Sequence, residues 1–308
     1  LEVIWPDGKR NVFEHISANI ELTVNYAKAK SNTKSVIPKE TLLTQINSSD
    51  IGISYSHQEN DFDEFQEEVL LPHNISQNGP FTSIEDVNDD GLYDFFIGGA
   101  AGQGGVLYIQ TQNGSFVESS SQPWKLDKDS EDLGALFLDV DGDNDKDLYV
   151  TSGGSEYKQG NILLKDRLYI NNGLGEFSKD DNALPNIYES SQCVISSDID
   201  KDGDLDLFVG TRLISGKYGF PATSYILINE NGKFKKASKE AAPDLKSIGM
   251  IADAVFTDID KDGDDDLMLV GEWMEITVLE NNNGTFINSS EKFGLKNTRG
   301  IWWSITAN

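Results

Sequence analysis

The stretch DIDKDGDLDLFVG, residues 198–210, holds five aspartates in nine residues and then turns apolar. Like charges at this spacing repel, and Asp is a poor strand former, so a counter-charge is needed to make the cluster favourable. Asp198, Asp200, Asp202 and Asp206 stand at relative positions 1, 3, 5 and 9, with Gly203 at position 6. Alternate residues can turn several carboxylates into one tight loop, and Gly permits the φ > 0 bend that closes it. A hard cation that takes 6–8 oxygens, Ca²⁺ above all, suits such a cage; Mg²⁺ keeps its waters and seldom accepts an all-protein one. Asp204, at position 7, is expected to contribute its backbone carbonyl, as the same position does in EF-hand loops.

The EF-hand itself does not fit. That loop needs a bidentate Glu at position 12 and a helix on each side. Position 12 here is Val209, within the short apolar run LDLFVG, and the preceding SQCVISSDI is also strand-like. The site predicted is a strand–loop–strand calcium loop.

The phrase recurs three more times. DVNDDGLYD begins at Asp86, DVDGDNDKD at Asp139 and DIDKDGDDD at Asp258. The predicted ligands are therefore Asp86, Asn88, Asp90, Leu92 (carbonyl) and Asp94; then Asp139, Asp141, Asp143, Asp145 (carbonyl) and Asp147. In the last two loops they are Asp198, Asp200, Asp202, Asp204 and Asp206, and Asp258, Asp260, Asp262, Asp264 and Asp266. The first loop has Asn88 at position 3, and the second has Asn144 where the others have Gly; Asn tolerates the left-handed conformation better than most residues. About four Ca²⁺ ions are expected.

Each loop heads a longer repeat. An apolar run follows it (DFFIGG, DLYVTSGG, DLFVG, DLMLVG), then a second run, a turn and a Phe-bearing segment with Phe116, Phe177, Phe234 or Phe286. Asn113-Gly114, Asn231-Gly232 and Asn283-Gly284 are hairpin signals between flanking strands. With the strand before the loop, each unit has four antiparallel strands in roughly 60 residues, the arithmetic of a propeller blade. The fold expected is all-β, a β-propeller of four-stranded antiparallel blades with Ca²⁺ loops. Repeats fall near 81–120, 134–180, 191–240 and 250–295, and 299–308 is expected to start another. The chain begins with Leu inside a recognisable segment and ends where the next loop is due, so it is expected to be a piece of a longer protein.

These units resemble FG-GAP repeats, also described as VCBS repeats, of integrin α-subunit propellers and bacterial surface proteins. In that family the D-x-D-x-D-G-x-x-D loop joins the first two strands of a blade and binds Ca²⁺, which is what the resemblance implies here over residues 80–308. Residues 70–80 and 95–105 further resemble the bacterial branch related to cartilage acidic protein. IWPDGKRNVFEHISANIELTV, residues 4–24, resembles the end of an ASPIC/UnbV segment, with a plain hairpin around a Pro-Asp-Gly turn as the alternative. The organisation expected is an ASPIC/UnbV-like β segment over 1–30, a polar, Lys-rich linker over 31–40, and the propeller over 41–308. Within the last, 42–55 resembles 286–295 and is expected to be an outer strand of a preceding blade.

The formal charge of −27 is local in large part, since the four loops hold 20 aspartates. Such acidity argues against nucleic-acid phosphate as a partner and against charge-driven binding to anionic lipid. The single Cys193 lies in an apolar strand, where a buried structural thiol is expected. No run is long and apolar enough for a transmembrane helix. Calcium loops of low affinity suit a secreted, cell-surface or periplasmic setting, in a bacterium if the resemblance holds.

No catalytic motif is found. His15, His57 and His73 lack Zn²⁺ spacing, and there is no nucleophile elbow or phosphate loop. The function expected is a non-enzymatic adhesion or ligand-binding scaffold for a protein or glycan, with the insertion 210–224 supplying Arg212, Lys217, Tyr218 and Phe220 for sugar stacking and polar contact. The alternative is a propeller-type polysaccharide lyase, for which His57, His73, Arg212 and Tyr218 are the candidates.

Overall fold

The computed structural model describes residues 1–17, 19–31, 43–69, 71–237, 239 and 241–307. The linker expected over 31–40 lies, apart from Ser31, outside them. The chain divides into two compact units, Leu1–Asn47 and Ser48–Asn308.

The first unit holds an antiparallel hairpin of β1 (Glu2–Ile4) and β2 (Arg10–Val12). Its turn runs through Pro6, Asp7 and Gly8, with Gly8 at φ +80° donating to the Trp5 carbonyl. Trp5 donates to Asn11 Oδ1 at 2.7 Å and meets the Tyr26 ring edge-on.

The second unit is four antiparallel sheets, each with its strands in chain order. The first contains β3 (Thr82–Glu85), β4 (Asp94–Ile97), β5 (Val106–Gln110) and β6 (Phe116–Glu118). The second contains β7 (Glu131–Leu138), β8 (Asp147–Gly153), β9 (Arg167–Asn171) and β10 (Phe177–Lys179). The third contains β11 (Ser190–Ser197), β12 (Asp206–Leu213), β13 (Tyr225–Asn229) and β14 (Phe234–Lys236). The fourth contains β15 (Met250–Thr257), β16 (Asp266–Met274), β17 (Thr277–Asn282) and β18 (Thr285–Asn288). Every acidic loop joins the first two strands of its sheet.

The sheets pack face to face in chain order, which explains why their second strands are apolar throughout rather than alternating. Successive side chains of a strand point to opposite faces, and here both faces are covered. In β12, Leu207 and Val209 join Leu138, Tyr149 and Leu168 of the second sheet, while Phe208 joins Ile251, Leu267 and Leu269 of the fourth. Phe96, Leu107 and Trp124 meet Phe137, Leu148 and Val150 in the same way between the first two sheets. This is a propeller-like arrangement of blades.

One expectation about the edges, an outer strand at 42–55, is corrected over its described residues. Residues 43–55 form no strand; Ser48–Ile51 is a single 3-10 turn, and Ile53 and Tyr55 instead cover the outer face of the first sheet on Ile97, Val106 and Tyr108. A Cβ on Gly52 (φ +86°) would collide with the Phe116 carbonyl, so the segment lies against the edge of β6 too closely for a side chain. The segment expected to open another repeat adds to the fourth sheet: β19 (Gly300–Ile301) pairs with the end of β16. Cys193 packs in the core between the third and fourth sheets, where burial pushes its thiol up to about 12.

Candidate metal centres

The four acidic loops share one backbone design. Positions 4 and 6 both take positive φ: Asp89 and Gly91, Gly142 and Asn144, Lys201 and Gly203, Lys261 and Gly263. The second loop carries its Gly at position 4 and Asn at position 6 (φ +72°), so Asn144 keeps the turn that Gly makes elsewhere. This turn points backbone N–H groups inward at the carboxylates. Asp198 accepts from Asp202 N and Gly203 N at 3.1 and 3.2 Å, and Asp202 accepts from Asp204 N at 3.0 Å. The loop at 258 repeats all three bonds.

Position 9 is the buried pivot. Asp94, Asp147, Asp206 and Asp266 are each at most 1 % exposed and open their second strands. Each accepts one N–H from position 2 of its own loop and one from the third strand: Asp206 takes Ile199 N at 3.0 Å and Asn229 N at 2.8 Å. Every carboxylate oxygen keeps further lone-pair capacity. Burial, opposed only partly by these bonds, pushes the Asp147 carboxyl up to about 7 and Asp206 up to about 6, and raises Asp94 and Asp266 as well. Anions raised by desolvation are what a bound cation would favour back into the charged form.

The side chains converge accordingly. Asp139, Asp141 and Asp147 each bring one oxygen within 4.8 Å of the others, as do Asp198, Asp200 and Asp206, and Asp258, Asp260 and Asp262. These clusters can hold a metal ion, and an all-oxygen donor set fits a hard one. In the first loop Asn88 stands at position 3 where the others bring a carboxylate, and Asp86 accepts from Asp90 N and Gly91 N as position 1 does in the third and fourth loops. Of the position-7 residues, Asp264 is engaged through its side chain by Lys201 of the preceding loop, which lowers its pKa.

Three buried asparagines tie the loops together, and sequence reasoning missed them. Asn171, Asn229 and Asn281 follow the apolar run of each third strand, and Gln110 stands there in the first repeat. Each donates its Nδ2 to the position-2 carbonyl of the preceding repeat's loop: Val87 at 2.8 Å, Val140 at 2.8 Å and Ile199 at 3.2 Å. Each Oδ1 accepts from a glycine of its own hairpin turn, Gly175, Gly232 or Gly284. An Asn closing the third-strand run in three repeats (RLYIN, YILIN, TVLEN) was the available signal.

At the other end of the strands the residues expected to bind ligand are divided. Arg212, at the end of β12, is 2 % exposed, not displayed. It pairs with buried Glu272 (Nε–Oε1 2.8 Å), reaches His73 Nε2 at 3.1 Å, and lies 4.7 Å under the Trp303 ring. Tyr218 donates to Glu272 Oε2 at 2.5 Å, and burial and that bond push its phenol up to about 12. Lys217 and Phe220 are exposed. His57 stands apart from this group, bonded to Glu59 and Tyr55.

Trp273 was not foreseen. It sits at a bulge in β16 with φ +58°, a conformation costly for a bulky residue, and is 52 % exposed. Its Nε1 donates to Tyr218 Oη at 3.0 Å. Trp273 lines a cleft of about 360 Å³ with Gly219, Pro221, Glu272, Glu275 and Arg299.

Residues 86–150 and 139–209 match the family model described as an FG-GAP-like repeat, so the chain carries FG-GAP-like repeats. No curated protein matches it. Among solved structures it is similar to an Agrocybe aegerita lectin described as recognising non-reducing terminal N-acetylglucosamine: 18 % identity over 66 % of this chain and 49 % of that one, TM-score 0.44. A second is a V. cholerae biofilm matrix protein, at 14 % identity over 69 % of this chain and 30 % of that one, TM-score 0.31. The chain thus spans about half of the lectin and under a third of the matrix protein. Among the described residues no helix is long and apolar enough to cross a membrane.

Proposed function

We propose that the chain is a non-enzymatic, Ca²⁺-binding scaffold that captures a glycan or protein ligand outside the cell, at a bacterial surface or in the periplasm. The loops hold about four Ca²⁺ ions for stability. The ligand binds in the cleft beside Trp273. The observation that carries this reading is Trp273 itself: a strained backbone that turns an indole outward beside a cleft marks a place where exposure is worth its cost. An aromatic face flanked by Glu275 and Arg299 favours a glycan, which stacks on rings and bonds to charged groups. The finer relationship, to the bacterial branch with cartilage acidic protein and an ASPIC/UnbV segment over residues 4–24, belongs to the same reading. Its support is the residue pattern, and the hairpin there is equally that of a plain Pro-Asp-Gly turn.

A glycan array probed with the Ca²⁺-loaded protein tests this. Binding that is lost in Trp273→Ala, with melting unchanged, is the expected result. No glycan bound, or binding indifferent to Trp273, refutes the cleft as the site.

One observation favours the lyase as a second reading: His73, Arg212 and Tyr218 meet around Glu272. Against it, the Arg212 charge is already taken by Glu272 and the Tyr218 phenol is raised, not lowered, which suits a base poorly. Polysaccharide cleavage lost in Tyr218→Phe would promote it.

A further inference from the structure

Glu131 opens β7, at the end remote from the loop that follows Leu138. An eight-residue strand spans on the order of 25 Å, so this is a different place from the metal loops. Glu131 is 1 % exposed, yet neither of its carboxylate oxygens accepts from an N–H or hydroxyl donor; its one hydrogen-bond contact is with the carboxyl of Glu156. Beside it, Glu156 Oε2 is equally without an N–H or hydroxyl donor. Three buried carboxylate oxygens with no N–H or hydroxyl donor are far from the ordinary satisfaction of protein interiors.

The two glutamates close over one point. A Cβ on Gly154, which takes φ +86°, would lie 2.3 Å from Glu156 Oε2 and 2.6 Å from Glu131 Oε2. Only the other oxygen of Glu156 is served, by Asn60 Nδ2 at 3.3 Å. Among the described residues no cation pairs with either carboxylate. The nearby charges acting on Glu131 are Glu156, Glu59 and Asp132, all of its own sign. Arg167, in the same sheet as Glu131, is held by Asp132 at 2.6 Å. Burial, with Glu156 next, pushes the Glu131 carboxyl up to about 10.

We propose that Glu131 and Glu156 bind one Ca²⁺ ion separate from the four loops. The donors are all hard oxygens, two carboxylates balance a divalent charge, and Ca²⁺ tolerates an irregular cage completed by water. Such an ion would join the start of β7 to the connection after β8, and through Asn60 to the segment that crosses the first sheet's edge. It gives the strand end opposite the loops a calcium site that no aspartate motif announces.

Equilibrium dialysis against Ca²⁺ tests the proposal on the whole chain, comparing wild type, Glu131→Gln/Glu156→Gln, Asp198→Ala and the combination. The double Gln variant is expected to bind one ion fewer than wild type, and the combination fewer than either. If the loops bind no calcium, Asp198→Ala changes nothing while the Gln pair still loses one ion, so the two readings fail separately. Stoichiometry unchanged in the Gln pair, as a shared proton between the carboxyls would give, overturns the proposal. Should that variant not fold, wild-type crystals soaked in Mn²⁺ decide it. An anomalous peak between the two glutamates is expected, and occupied loops without that peak also overturn it.

Discussion

The two ends of the second strands handle buried charge in opposite ways. At the loop end, Asp94, Asp147, Asp206 and Asp266 are surrounded by backbone N–H donors and by other aspartates. At the far end, Asp132 and Glu272 are each held by a buried arginine, Arg167 and Arg212. At Asp132 and Glu272 the far end carries its cations in the chain, whereas the loop end offers carboxylate clusters that can hold a metal ion. The stability of those two ion pairs should ignore the medium, and that of the loops should depend on it.

The largest expected effect follows from removing calcium. An ion that binds only the folded state stabilises by about 2.7 kcal/mol per site at a hundredfold excess over Kd. Four such sites rival a typical domain's whole margin of about 5–15 kcal/mol. Chelation should lower the melting temperature steeply, and a melting curve indifferent to EGTA would break the comparison. The chelated protein should also show a pH dependence of inverted sign. A carboxyl whose folded pKa lies above its unfolded value binds its proton more tightly when folded, so it supports the fold only while protonated. With Asp147 raised from 3.8 to about 7 and Asp206 to about 6, metal-free stability should fall as pH rises from about 4 through 7. Calcium should flatten that slope. Urea denaturation at several pH values reads both.

Arg212→Met probes the opposite end. Removing one partner of a buried ion pair strands the other, Glu272, at a cost of about 3–5 kcal/mol. The loss should be equal with calcium and with EGTA. A loss that appears only in calcium would mean that the two ends are coupled.

Asn229→Ala should cost less, about 1–3 kcal/mol, because it leaves the Val140 carbonyl and the Gly232 N–H without their partner. Its second effect is the sharper one. Calcium affinity should fall in the loop at 139–147, which belongs to the preceding repeat, more than in the loop at 198–206, whose Asp206 accepts the backbone N–H of residue 229 that Ala retains. Site-resolved titration showing only the second would confine each asparagine to its own blade.

The contrast between the ends also marks what could be read in advance. The loops, their fourfold recurrence and the four-stranded units were legible, because charge spacing and apolar runs are local in the chain. Asn144 was legible as a turn residue for the same reason. Partnerships across repeats were not. Arg212 looked like a displayed sugar contact because its acid, Glu272, lies 60 residues on, and nothing local shows that the two meet under Trp303. Residues 48–55 share the composition of an outer strand, yet they form a 3-10 turn and an extended cover whose Ile53 and Tyr55 pack on the first sheet. Trp273 lies in the apolar run DLMLVGEWM, and its outward turn comes from the bulge between Glu272 and Met274.

The smallest effect is the most local. The first loop alone has an amide at position 3, and Asn88 Oδ1 accepts Asp90 N at 3.2 Å, so its oxygen is placed by the loop without bringing a charge. Ca²⁺ affinity in such loops follows ligand charge count and rigidity, and the rigidity is shared, since Asp89 and Gly91 take the same two left-handed positions as the other loops. Charge therefore decides, and the first loop should be the weakest of the four. Asn88→Asp should tighten it about tenfold, or ~1.4 kcal/mol, and Asp200→Asn should weaken the third loop by a similar factor. The second loop tests the other half of the argument, because its Asn144 changes only the residue that fills a turn already made. Asn144→Gly should leave its affinity nearly unchanged. A first loop that binds tightest, or an Asn144→Gly effect larger than that of Asn88→Asp, would make backbone geometry rather than charge the controlling variable.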